Sequence, residues 1–145
     1  MPTPADYLAL ARAERDSLVL QRLAKCPYPF VWQALATNLH TPPEALQELS
    51  AARDSVWNDN KLLRLLADHP NANPVVLRAV LEAVAAKLDE GERPYAAVLA
   101  LADRLELEVD EVRKLGTLRG ASARLRHLLN LRLSIRIRGT PSGHG

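Results

Sequence analysis

The chain has 145 residues, of which 48% are hydrophobic and 25% charged, with a formal net charge of +2, which is the profile of one ordinary globular domain. Charged residues interrupt every apolar run before it reaches the roughly 20 residues that span a bilayer, which excludes a transmembrane helix. The N-terminus lacks the basic start and apolar block of a secretory signal, so we expect a cytoplasmic protein.

Two short helices are predicted at the N-terminus. Thr3 and Pro4, followed by Asp6, resemble a capped helix start, and this helix is expected to continue to about residue 14. A second helix is expected from residue 16 or 17 to residue 25.

Cys26 follows the second predicted helix. Because it is the only cysteine, it can form neither a disulfide within the chain nor a site of several thiolates. Its apolar surroundings favour a small buried hydrophobe over a reactive thiol. The four histidines show no metal-binding spacing, and we expect no cofactor.

An ungapped template recurs three times along the chain. In each copy a Leu-Ala pair is followed by further apolar residues ten and thirteen positions after the alanine. The alanines are Ala36, Ala67 and Ala102, which are 31 and 35 residues apart. This spacing is typical of two-helix repeats stacked into an α-solenoid, and such a fold usually offers a surface for binding rather than a pocket for catalysis.

Prolines mark the helix starts of the first two copies. We interpret Thr41-Pro42-Pro43-Glu44 as a capping box, in which the Thr41 hydroxyl accepts from the amide of residue 44 and Glu44 reaches back to residue 41. Asn73, before Pro74, is the expected cap in the second copy.

The remaining segments are more irregular. Residues 50–61 are mainly polar and are expected to form a loop with a short turn of helix, whereas residues 95–105 have helical spacing. Residues 89–94 form a break between helices. The third copy, at 108–116, has lost its proline, and Gly116 is interpreted as its C-terminal stop.

The C-terminal part differs sharply in charge from the rest. Residues 1–112 carry 11 basic and 17 acidic side chains, whereas residues 113–145 carry 8 basic and none acidic. Residues 131–138 alternate with the period of a strand, but we expect a continuing helix because a single strand would have no partner. We therefore predict a helical repeat domain at 1–116, a basic helical segment at 117–138 and a disordered tail at 139–145.

The first two copies carry a more specific pattern, in which an apolar helix end with Leu-Ala is followed by a polar turn and a proline-led helix. The matching residues are Val31, Leu35, Ala36, Asn38, Thr41, Pro42, Pro43, Glu44, Leu46 and Leu49 in one copy, and Leu66, Ala67, His69, Pro70, Asn71, Pro74, Val76 and Leu77 in the next. This pattern, over about residues 23–84, resembles the leucine-rich repeat variant family of bacteria, whose short helical repeats are HEAT-like.

The resemblance implies an all-α solenoid of two-helix repeats in a right-handed superhelical stack that is used for binding. The chain departs from the family pattern at Leu39, which replaces a turn proline, and in the insert at 51–61. Some members hold an iron-sulfur cluster on a cysteine-rich segment, which this chain cannot do with Cys26 alone.

Catalytic residues are not evident from the sequence. Asp68 and His69 are adjacent and do not face each other on a helix, so we interpret them as helix-end caps, and we expect no enzyme activity. Trp32 lies in an apolar run and is expected in the core, whereas Trp57 lies in a polar segment and is equally consistent with a partner contact.

The arginine-rich C-terminus is the strongest binding signal. We propose a protein-interaction module whose candidate contacts also include polar positions of the proline-led helices, Gln47, Glu48 and Glu82. Nucleic acid is the alternative partner. Contact with the chain's own acidic region, residues 1–112, also stays open, as do self-association and an anionic membrane near Leu128, Leu129, Leu133 and Ile137. The candidate binding residues are Arg78, Trp57, Arg113, Lys114, Arg119, Arg124, Arg126, Arg132, Arg136 and Arg138.

Overall fold

A computed structural model describes residues 2–139, and these residues form nine α-helices, one 3₁₀ turn and no β-strand. The predicted all-α class is confirmed. Gly139 is the last residue of the final helix, and the rest of the predicted tail, 140–145, lies outside the described residues. The helices are α1 (Pro4–Ala13), α2 (Ser17–Leu23), α3 (Pro29–Thr37), α4 (Pro43–Ser50), α5 (Val56–Asp68), α6 (Pro74–Asp89), α7 (Tyr95–Ala102), α8 (Val109–Arg113) and α9 (Ala123–Gly139), with the 3₁₀ turn at Lys114–Thr117.

Proline occupies the first position of α1, α3, α4 and α6. At this position the fixed φ of proline suits the helix, and the missing N–H would have no partner inside the helix anyway. Side-chain caps reinforce two of these starts. The predicted capped start of α1 is a capping box formed by Thr3 and Asp6, and the Asn73 amide oxygen accepts from the amide of Val76 at 3.0 Å. The predicted start of α2 is confirmed as well, with Asp16 as its N-cap.

The capping box predicted at residues 41–44 is wrong. Helix α4 begins at Pro43 without a side-chain cap, and the Thr41 hydroxyl instead donates to the carbonyl oxygen of Leu35 at 2.7 Å. Thr41 is fully buried, so its hydroxyl needs a partner, and the end of α3 leaves carbonyl groups without a partner inside the helix. Thr41 therefore joins the end of one helix to the start of the next.

Two other segments differ from expectation. Residues 56–61 are the first turns of α5, which Ser55 caps through a 3.2 Å bond from the Asn58 amide, so the loop is confined to residues 51–55. Gly116 does not stop a helix but lies within the 3₁₀ turn, where a Cβ would meet the Arg126 side chain at 3.2 Å. In contrast, the expected helix over residues 131–138 is confirmed as part of α9.

Every position of the three-copy template lies in the core. The Leu-Ala pairs at the helix ends are buried, and so are the apolar residues ten and thirteen positions later. Helix α1 contacts α3, α3 contacts α5, α5 contacts α7 and α7 contacts α9. In the same way, α2 contacts α4 and α4 contacts α6. The repeated sequence therefore marks the residues with which successive helices pack on one another.

A polar side chain two positions after each template alanine bonds to the backbone of the preceding unit. The Asn38 amide donates to the carbonyl oxygens of Ala11 and Glu14, each at 2.9 Å. The His69 ring nitrogen Nε2 lies 2.8 Å from the carbonyl oxygen of Asn38. Arg104 continues the series, because its guanidinium donates to the carbonyl oxygens of Ala67, His69 and Ala72 at 3.1, 2.8 and 2.9 Å.

Arg136 of α9 extends this series by one step. Its guanidinium donates to the carbonyl oxygens of Ala102 and Leu107, on either side of the turn that holds Arg104. We call Asn38, His69, Arg104 and Arg136 the turn ladder. Buried carbonyl oxygens are costly to leave unpaired, so the ladder fixes the position of each turn relative to the one before it.

The hydrogen bonds of His69 require a neutral ring. Its Nδ1 accepts from the amide of Asn71 at 3.0 Å, so the proton must be on Nε2, facing the Asn38 carbonyl. If Nδ1 were also protonated, its N–H would face the N–H of Asn71, and this hydrogen bond would be lost. Burial lowers the pKa of His69 below its ordinary value of 6.5, and the charge of Arg104 lowers it further, against the opposing effect of the Asn38 bond.

We therefore predict that the free energy of unfolding decreases as the pH falls from about 7.5 to 5.5. The folded-state pKa of His69 is lowered, so the unfolded chain takes up the proton first, and the stability present above the unfolded pKa is lost as pH falls. Urea unfolding should show a smaller pH dependence in His69→Asn, which keeps an acceptor for the Asn71 amide.

His127→Asn, at an exposed position of α9, is the matched control and should keep the wild-type pH dependence. The carboxylates of Asp6, Glu106 and Glu111 have lowered pKa values, so their contribution is lost only below this pH range. An equal slope in wild type and His69→Asn would contradict the assignment.

Candidate binding surfaces

The start of α9 is fixed by close backbone contacts. The Gly120 amide donates to the carbonyl oxygen of Leu88 at 2.6 Å, and a Cβ at residue 120 would lie only 2.5 Å from the carbonyl oxygen of Glu92. The Tyr95 hydroxyl donates to the Gly120 carbonyl at 2.6 Å and accepts from the Ser122 amide at 3.2 Å. Glycine is required here because any side chain would collide with backbone, and α9 is thereby positioned beside α7.

Several of the candidate cations are bound within the chain. Arg132 pairs with Asp103, Arg113 with Asp110 at 2.9 Å, and Arg78 with Glu111 at 3.3 Å. Arg126 donates to the carbonyl oxygen of Ala121 at 3.1 Å, and Arg136 belongs to the turn ladder. These guanidinium groups already have partners within the chain, although the ion pairs of Arg78, Arg113 and Arg132 are exposed and contribute little to stability.

Glu111 shows how these contacts are organised around α8. Its carboxylate accepts from the Glu108 amide at 2.9 Å, and this bond is the main reason that its pKa is lowered. The bond to Arg78 and the charges of Arg78 and Lys114 lower the pKa further. Arg78 is thus part of a local network that ties α6 to α8.

The other candidate cations are exposed and differently placed. Within residues 2–139, no hydrogen bond or ion pair is formed by the side chains of Lys114, Arg119, Arg124 and Arg138. Lys114 and Arg119 lie near the 3₁₀ turn, whereas Arg124 and Arg138 lie near the two ends of α9. These four retain their charge for a contact outside the chain.

Helix α9 also exposes an apolar stripe. Leu128, Leu131 and Ile135 are 36%, 49% and 67% exposed, respectively. With Arg124 before them and Arg138 after them, these residues are spaced by four and three positions alternately, which places all five on one side of the helix. We call these five residues the α9 seam. Leu129 and Leu133, which the membrane alternative would place at the surface, are buried in the core.

Trp57 lies in a groove on another part of the surface. Its side chain is 78% exposed and lines a groove of about 710 Å³ between α5 and the start of α7. Lys61 and Arg64 follow Trp57 on α5, and Arg93 faces them from the segment before α7. Sequence reasoning named Trp57 but missed these three cations. A correct start for α5 would have shown that Trp57, Lys61 and Arg64 recur at helical spacing.

The remaining candidates occupy ordinary positions. Trp32 is half-buried, with its indole N–H donating to the carbonyl oxygen of Cys26 at 2.7 Å, and Cys26 itself is half-buried. The polar candidates on α4 and α6 are exposed; they are Gln47, Glu48 and Glu82.

Comparison with protein families, with curated proteins and with solved structures finds no match to this chain. Within residues 2–139, no helix is both long and apolar enough to cross a bilayer. The same part of the chain brings together no group of three or more His, Cys, Asp or Glu residues that could hold a metal ion.

The distinction between arginines that stabilise the fold and arginines that are merely exposed can be tested by comparing the free energies of unfolding of alanine variants. Arg136→Ala should lower the free energy of unfolding by about 1.5–3 kcal/mol, because two carbonyl oxygens lose a charged donor. Arg138→Ala, two residues further along α9, should change it by less than about 0.5 kcal/mol. Urea unfolding measures both, and equal losses in the two variants would contradict the division.

Proposed function

We propose that this chain is a non-catalytic helical-repeat protein that binds a protein partner through the α9 seam. The proposal includes an α-solenoid of short HEAT-like repeats, similar to the leucine-rich repeat variant family. It is supported by the buried template positions, by the contacts from each odd-numbered helix to the next, and by the turn ladder. In a solenoid each unit covers the apolar side of its neighbour. The outer side of the last unit, here α9, has no following unit to cover it, so apolar residues exposed there are available to a partner.

The observation that carries the proposal is the composition of the seam. A terminal helix of a solenoid usually has a polar outer side, which keeps the protein soluble. Here Leu128, Leu131 and Ile135 are exposed at the spacing with which one helix packs against another. Burying a side chain of this size contributes about 1.5–3 kcal/mol, so a partner that covers the seam gains substantially.

The charges at the two ends of the seam favour a different chain over a second copy. Antiparallel pairing of two seams would place Arg124 opposite Arg138, and parallel pairing would place each arginine opposite itself. Both arrangements bring like charges together, which is destabilising. An apolar helix with acidic residues near its ends would instead match both the apolar centre and the arginines.

Nucleic acid is the alternative partner. Lys114, Arg119, Arg124 and Arg138 are exposed and could contact phosphates, which favours this alternative. However, Arg126, Arg132 and Arg136 are already used within the chain. Three exposed aliphatic side chains in the same stripe also fit a protein surface better than a phosphate backbone.

Affinity capture from lysate of the native cells, with quantification of the recovered proteins, tests the proposal. The double variant L131E/I135E should retain the fold, because both side chains are exposed, but should lose the specifically recovered partner. The matched control is A123E/N130E, which adds the same two charges at exposed positions of α9 that are not three or four positions from any seam residue.

Equal recovery by wild type and the seam variant would contradict the proposal. A second contradictory outcome is binding to duplex DNA that weakens steeply with salt and is lost in R124A/R138A but not in L131E/I135E. That result would establish the nucleic-acid alternative.

A further inference from the structure

A second surface has the chemistry of a binding site that differs from the α9 seam. We propose that the groove between α5 and the start of α7 binds an acidic peptide segment, with its carboxylates on Lys61, Arg64 and Arg93 and an apolar side chain on Trp57. The inference goes beyond the proposed function, since the groove and the seam share no residue and either can fail alone.

This groove is lined by basic side chains, although the part of the chain that forms it is acidic overall. Residues 1–112 carry 17 acidic and 11 basic side chains, yet the residues that line the groove include Lys61, Arg64 and Arg93 and no acidic one. Arg64 reaches Asp68 only at 3.5 Å, in an exposed ion pair that contributes little. Among residues 2–139, the side chains of Lys61 and Arg93 form no hydrogen bond or ion pair, so both charges are available to a ligand.

Apart from the three cations and Asn60, the residues that line the groove are mainly apolar. Val56 and Trp57 on α5 are both exposed, and Pro94, Ala96 and Ala97 line the opposite side. The Tyr95 hydroxyl is engaged by Gly120 and Ser122, so this ring forms a wall rather than a donor. An exposed tryptophan beside cations suits a ligand that combines apolar and acidic groups, because an indole ring offers a large contact area at low entropic cost.

The start of α7 adds a weaker attraction for carboxylates. Its N-cap, Pro94, provides no side-chain hydrogen bond; the Tyr95 amide donates to the carbonyl oxygen of Arg93 at 2.8 Å, and the next two amides have no capping partner. Ala96 and Ala97 carry such amides and line the groove. The partial positive charge of a helix N-terminus therefore acts in the same direction as the three cations.

The groove continues toward the N-terminal helices. A smaller groove of about 260 Å³ is lined by residues of α1, α3 and α5, among them Arg12, Phe30 and Leu65. Lys61 lines both grooves, which places them next to each other. The smaller groove also has no acidic lining residue. Two adjoining open grooves fit an extended chain better than a compact small molecule.

A peptide fits these surroundings better than a single-stranded nucleic acid does. On its other side Val56 lines a hollow with four acidic residues, which are Asp54, Asp59, Glu90 and Glu92. Arg53 and Lys87 line the same hollow, with Lys87 3.1 Å from Glu92 and 3.9 Å from Asp59, so two cations compensate only part of the charge of four carboxylates. A phosphate backbone carries a charge on every unit and would be repelled there, whereas a peptide can place its few carboxylates on the cations alone.

The test uses the full chain and an array of short fluorescein-labelled peptides built from Glu, Asp, Leu and Phe, with Gln and Asn counterparts. Fluorescence polarisation should show binding of acidic members at least about tenfold tighter than that of their amide counterparts. K61E/R64E/R93E should abolish this preference. The matched control R22E/K25E also reverses exposed cations, but these line neither groove, and it should bind as wild type does.

Two further readouts locate the ligand. Binding should shift the tryptophan emission of the wild type but not that of Trp57→Phe, because Trp32 lies outside the groove. The seam variant L131E/I135E should bind the peptides normally, so failure of the seam proposal would leave this result unchanged.

The inference is overturned if no acidic peptide binds better than its amide counterpart, or if R22E/K25E weakens binding as much as K61E/R64E/R93E does. It is equally overturned if oligothymidine binds the groove more tightly than the acidic peptides and loses that affinity in the same groove variant.

Discussion

The turns after α1, α3, α5 and α7 each bring buried carbonyl oxygens to the end of a helix, and a polar side chain from the next of these turns, or from α9 in the case of Arg136, bonds to them. The residues of the turn ladder differ in chemistry: an amide at Asn38, a neutral imidazole at His69 and guanidinium groups at Arg104 and Arg136. What they share is a donor directed at the backbone of the preceding turn. Apolar packing holds the helices together without fixing their relative position, because it is non-directional, whereas these hydrogen bonds are directional and therefore fix it.

The two candidate surfaces depend on this positioning. Arg136 anchors α9 to the turn after α7, and Gly120 brings the start of α9 against the end of α6, so the buried side of α9 is fixed and the seam is left outward. The groove with Trp57 exists because α5 and α7 lie side by side with the starts of both helices at one end of the groove. Binding in both cases would use side chains that the packing leaves exposed.

The sequence predicts features that depend on residues close to one another in the chain. It does not predict side-chain contacts between residues that are far apart in the chain. The template residues and the proline-led helix starts are local patterns. The template residues are buried as expected and α6 begins at Pro74 with Asn73 as its cap, whereas α4 begins at Pro43, one residue later than the predicted capping box requires. Thr41 was misassigned because its partner, Leu35, lies in the preceding helix rather than in the helix that it precedes. Arg136 was grouped with the binding residues because nothing near it in sequence shows that its partners are carbonyl groups about 30 residues earlier. The groove cations Lys61 and Arg93 come together only through the packing of α5 against α7.

The free energy of unfolding of Arg104→Met tests the role of the turn ladder most directly. Methionine keeps much of the apolar stem but removes the donors to Ala67, His69 and Ala72, and the Arg104 side chain is only 14% exposed. Hydrogen bonds from a charged donor contribute about 1.5–3 kcal/mol each, so we expect urea unfolding to show a loss of at least about 3 kcal/mol. A loss below about 0.5 kcal/mol would show that the helices hold their positions without the ladder.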